Sequence, residues 1–149
     1  MGFIGRMFGK KTAEAGAVMS RLENKDLVEA TIFGCVAVAY ADGELEEAEL
    51  KNVQLQIEAN DIFKGFQPAD ISLMIDKAVG LFKAGPVLGR KKAFDQIKDI
   101  CRDATQAEEA FVAMITVAQA DGQIEEAEQK VLGEIGKILG GLKVETYIS

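Results

Sequence analysis

Histidine is absent from all 149 residues. That excludes Ser–His and Cys–His nucleophilic catalysis, histidine general-base work and every His-containing zinc site. Cysteine is scarce: only Cys35 and Cys101 occur, with no CxxC spacing, each inside an apolar helical run. Such usage fits a reducing cytoplasm, and both thiols read as structural rather than redox-active or metal-binding. Proline is limited to Pro68 and Pro86, while Ala, Leu, Glu, Lys, Gln and Met are plentiful, so the composition leans helical. Positive charge is also short, with 17 Lys and Arg against 24 Asp and Glu and a net charge of −7. A nucleic-acid duplex binder needs a basic face to displace counterions. Nucleic acid is therefore excluded as a partner, and a cation, a basic partner or simple solubility is favoured.

What is present reads as an ordinary soluble helical domain. The apolar fraction of 48% and charged fraction of 28% are those of a globular chain, and the length suits one domain with a real core. No stretch alternates as a strand with hairpin signals. The first segment, residues 1–23, stands apart. Its apolar start, Phe3, Ile4, Met7 and Phe8, is broken by Arg6 and is too short for a signal peptide or a membrane span. It also lacks the myristoylation pattern, because position 6 is Arg. With Arg6, Lys10 and Lys11 it reads either as a basic amphipathic anchor, giving peripheral association with an inner membrane, or as a tail docking on the body. Three glycines in its first nine residues favour the tail.

Residues 24–149 form the domain. Asn24 is placed as the N-cap of a first helix over 26–41, apolar on every side at Ile32, Phe33, Cys35, Val36 and Val38, as befits the centre of a bundle. A second helix spans about 46–60, with Leu50, Val53 and Ile57 on one face, and 61–67 is a loop. A third starts at Pro68 and runs to about 83; a fourth spans about 88–102 with a basic outer face of Arg90, Lys91, Lys92 and Lys98. Thr105 and Glu108 are placed as the capping box of a fifth helix, again apolar all round, and a sixth runs from about 125 to 139, ended by Gly140 and Gly141. The fold expected is all-α, a compact bundle of six to seven helices.

The chain also says one thing twice. Residues 38–51 read Val-Ala-Tyr-Ala-Asp-Gly-Glu-Leu-Glu-Glu-Ala-Glu-Leu-Lys, and residues 117–130 read Val-Ala-Gln-Ala-Asp-Gly-Gln-Ile-Glu-Glu-Ala-Glu-Gln-Lys. Ten of these fourteen positions are identical at an offset of 79. Halves of about 26–60 and 105–139 imply an internal pseudo-two-fold duplication carrying two acidic corners, with Gly43 and Gly122 setting the turns. The corners are not EF-hands. With Gly43 or Gly122 at loop position 6, positions 1 and 3 become Val38 and Tyr40, or Val117 and Gln119, and two carboxylates are missing from each loop. A different oxygen-ligand set remains: Asp42, Glu46 and Glu49 in one corner, Asp121, Glu125 and Glu128 in the other. Glu46 and Glu49, like Glu125 and Glu128, sit three apart and share a helix face. If the two corners meet, their carboxylates could share a divalent cation such as Ca, Mg, Mn or Zn. The plainer account is that acidic residues in a first helical turn oppose its dipole, by roughly 0.3–1 kcal/mol each.

At these residues the chain resembles the tellurite-resistance TerB family, whose mark is a duplicated apolar-helix, Asp-Gly, acidic-helix unit. The resemblance covers about residues 24–149. It implies a compact helical fold with internal pseudo-symmetry, and acidic motif residues on one surface that are proposed to bind divalent metal. It implies a bacterial or phage-borne stress-response protein, cytoplasmic or at the inner face of the membrane, acting through protein partners and not an enzyme. Carried over by position, the acidic candidates are the same six residues. One departure stands out: Glu46 and Glu125 occupy the post-turn position that often holds Ser or Asp in the family, and Glu is a weaker cap. The alternative is a metal-independent helical interaction scaffold using the acidic corners and the basic fourth helix.

Overall fold

The computed structural model describes residues 24–120 and 122–148, and the N-terminal segment 1–23 lies outside them. Helix α1 covers residues 24–39, followed by α2 (Glu47–Glu58), α3 (Pro68–Ala84), α4 (Pro86–Lys98), α5 (Ala104–Ala118) and α6 (Glu126–Ile138). Single 3-10 turns sit at Asp61–Phe63 and Val144–Thr146. No strand occurs among the described residues, so the expected all-α architecture is the observed one.

Local chemistry sets most boundaries, and it corrects two expected caps. Asn24 is already helical, so the first helix does not begin after it. Helix α5 is capped by Asp103, not by a Thr105–Glu108 box: Asp103 Oδ1 accepts from the Thr105 and Gln106 N–H groups at 3.0 and 3.1 Å. Asp is the stronger N-cap, and the helix accordingly begins at Ala104. Pro86 does not merely interrupt the chain. It occupies the first turn of α4 directly after Gly85 closes α3, so the two helices share one corner residue. The 61–67 loop contains a 3-10 turn whose Asn60 side chain accepts from Ile62 N–H at 3.0 Å. Helix α6 ends as its two glycines predict. Gly140 and Gly141 have φ of 98° and 91°, and the N–H groups of Gly141 and Leu142 both reach the Gly136 carbonyl at 2.9 Å. The segment beyond is no loose tail: Val144 is buried and the Tyr147 ring meets Phe111 edge-on at 5.8 Å.

Helix α1 is the axis of the domain. Every residue from 30 to 38 is buried, and its one buried polar group, Thr31, donates Oγ1–H to the Leu27 carbonyl at 2.7 Å. Helix α5 packs on it so closely at Gly34 that a Cβ there would overlap the Met114 side chain. The expectation that α5 is equally enclosed fails. Its inward face carries Phe111, Met114 and Ile115, but Val112 is 40% exposed and Glu108, Glu109 and Thr116 face solvent. Around this pair, α2 packs on α5 and α3, α3 on α4, and α6 on α4 and α5. Of the two cysteines, Cys35 is fully enclosed, whereas Cys101 is half-buried in the turn after α4 rather than inside a helix.

Candidate paired-corner site

Each acidic corner is built by the same hydrogen bonds. After α1, Tyr40 N–H reaches Val36 O at 2.9 Å and Gly43 N–H reaches Tyr40 O at 2.8 Å. After α5, the bonds Gln119 to Ile115 and Gly122 to Gln119 repeat this pattern, both at 2.9 Å. Gly43 and Gly122 hold φ of 91° and 111°, the left-handed region that a side chain disfavours. The chain then turns extended at Glu46 (φ −72°, ψ 155°) and Glu125 (φ −68°, ψ 156°), which become the N-cap positions of α2 and α6. Tyr40 is fixed by stacking on Phe82, ring centroids 5.2 Å apart, and partial burial raises its phenol above the ordinary value.

The carboxylates divide by task. Asp42 Oδ1 accepts from Glu44 N–H at 3.0 Å, bracing its own turn. Glu128 Oε1 reaches back to Glu125 N–H at 3.0 Å, which satisfies one of the orphan amides of α6. Glu46 and Glu125 stay exposed at the helix starts, where their charge opposes the dipole. Asp121 lies outside the described residues.

Glu49 and Glu128, from the two different corners, line one and the same cleft, of about 30 Å³. Its walls also include Ala39, Leu45, Val53, Val117, Ala120 and the polar residues Asn52 and Gln56. Glu49, Glu128, Asn52 and Gln56 are the polar members of a lining that is otherwise apolar, and they are the residues there with oxygens that a hard cation would use. Among the described residues no three carboxylates or thiols converge as a ready metal cluster. The described contribution is therefore the Glu49–Glu128 pair with its amide neighbours. Asn52 and Gln56 are functional candidates that the repeat conceals. Residue 131, which corresponds to Asn52 in the second half, is a buried valine, Val131. Their signal was the spacing Glu49, Asn52, Gln56 along one face of α2.

The thiols take no part. Burial pushes the Cys35 thiol up to about 12, so it is neither nucleophile nor ligand at neutral pH.

The domain is all-helical, and Glu49 and Glu128 bring the two acidic segments to one small cleft. The family model of tellurite resistance protein TerB matches residues 28–147. The chain belongs to the TerB family. No curated protein and no solved structure matches it.

Proposed function

We propose that this TerB-family domain is a non-enzymatic stress-response module. Its paired corner takes a divalent cation, and the cation-bound face is presented to partner proteins. The observation that carries this reading is the Glu49–Glu128 pair: carboxylates 79 positions apart line one cleft, with the Asn52 and Gln56 amides beside them. Two glutamates lining one small cleft make its potential negative, and a divalent cation is drawn to such a potential. Asp42 adds charge on the turn after α1, and Glu46 and Glu125 add it at the helix starts. The chemistry argues against direct action on an oxyanion, since the site is acidic and Cys35 is sealed in the core. No helix among the described residues is long and apolar enough to cross a membrane, and the module is proposed to work from the cytoplasm. The proposed N-terminal anchor falls in residues 1–23, outside the described residues.

The test is an amide NMR titration with Ca²⁺, Mg²⁺, Mn²⁺ and Zn²⁺ at physiological salt. Saturable changes at both Gly43 and Gly122 with a common midpoint are expected for one shared ion. No change with any of these cations up to millimolar concentration would make the corners structural turns and overturn the reading.

A further inference from the structure

We propose that the corner between α3 and α4 is a docking surface for an anionic lipid bilayer, a property separate from the cation site. From residue 77 to residue 94 the chain carries Lys77, Lys83, Arg90, Lys91 and Lys92 and no Asp or Glu, in a protein of net charge −7. At the tip of this stretch stand two apolar side chains in solvent. Val87 is 80% exposed, more than any other large apolar residue described, and Leu88 is 52% exposed.

Their exposure is built in. Helix α4 buries Gly89, Ala93 and Ile97, a complete inward row at four-residue spacing. Gly89 lies against the Phe82 ring so closely that a Cβ would overlap it, and Phe82 is in turn held by Tyr40. With that row seated, helical geometry turns Val87, Lys91 and Lys98 to the opposite face. Aliphatic side chains beside Lys and Arg at a protruding tip match a lipid interface: the aliphatics enter the acyl boundary and the cations meet phosphates. A folded partner fits less well. Two side chains at a tip cover far less than the roughly 1,000 Å² a specific protein interface needs. Asp76 and Asp95 bound the stretch, and Asp95 pairs with Lys91 at 3.0 Å, so residues 76–95 carry five cations against two carboxylates, a net charge of +3.

The chain contains no tryptophan, so Val87→Trp in the full chain gives a single indole reporter at the tip. With phosphatidylcholine–phosphatidylglycerol vesicles at moderate salt, a blue shift and quenching by brominated acyl chains are expected. Pure phosphatidylcholine vesicles should give neither. Adding Arg90→Gln and Lys91→Gln should weaken partitioning about fivefold for each cation removed. Leu73→Trp is the positional control. Leu73 is 67% exposed on α3 but eleven residues before that helix ends, roughly 16 Å along the axis, and its indole should stay unquenched. An indole at 87 that anionic vesicles leave unshifted overturns the proposal, as does equal quenching at 73 and 87. A concentration-dependent shift without vesicles would assign the tip to a second copy of the chain, and would also overturn it.

Discussion

Gly34 of α1 lies directly against Met114 of α5, with no room for even a methyl group between the backbone and the thioether. This contact sets how closely the two core helices approach. Gly34→Ala gains helix propensity but must displace Met114, which is fully buried. The expected net loss is about 1 kcal/mol, overpacking outweighing propensity. Gly80 is the matched contrast: it is exposed in α3 with open space around it, and Gly80→Ala is expected to gain about 0.5–1 kcal/mol. Urea denaturation of both variants measures the pair, and equal effects would contradict the close approach.

At the paired corner, Glu49→Gln and Glu128→Gln are expected to abolish cation-dependent stabilisation singly as well as together, because both carboxylates face one cleft. A cation at a hundred times its dissociation constant stabilises by about 2.7 kcal/mol, or roughly 5–10 °C in Tm for a domain of this size. Calorimetry with and without cation reads this directly. Two half-sized effects that add would indicate independent sites.

Gly43 and Gly122 perform the same backbone task at φ of 91° and 111°. Each substitution by alanine should cost about 1–2 kcal/mol through left-handed strain. Neither position has a neighbour for a Cβ to strike, so the two costs should be nearly equal and asparagine should recover part of each. Thermal melts of the four variants provide the check.

The Cys35 thiol gives the stability a defined alkaline dependence. Its folded value is raised by burial from 9.0 to about 12. The unfolded chain therefore releases this proton first as pH rises, and the folded state binds more protons across that window. Stability from this group is intact below about pH 9 and falls by about 1.4 kcal/mol per unit between the two values. Cys35→Ala should remove that component of the slope in denaturant titrations. Near neutral pH, a thiol reagent should modify half-buried Cys101 in the native protein and reach Cys35 only on unfolding.

The C-terminal segment is expected to contribute like a piece of core. Tyr147 packs on Phe111 and donates its hydroxyl to Glu108 at 3.0 Å. Tyr147→Phe keeps the ring and should cost under about 1 kcal/mol, since the hydrogen bond is exposed. Tyr147→Ala loses the ring pair as well and should cost about 2 kcal/mol.

The helices and corners of this protein were decided locally. Residues 32–38 run apolar without a break and belong at a centre; Pro68 opens a helix, Gly140 and Gly141 close one, and the two Asp-Gly units are nearly the same sequence. Capping was less legible, because Asp103 and Thr105 compete for one helix end and side-chain geometry chooses between them. What only tertiary structure decided is non-local: that Glu49 and Glu128 line one cleft, that Asn52 and Gln56 share its wall, that α5 keeps one face in solvent while residues 30–38 of α1 keep none, and that Val87 and Leu88 are left outside. A helical period states which residues share a face. It does not state what that face meets, because the partner surface comes from residues tens of positions away and is set by how the helices pack.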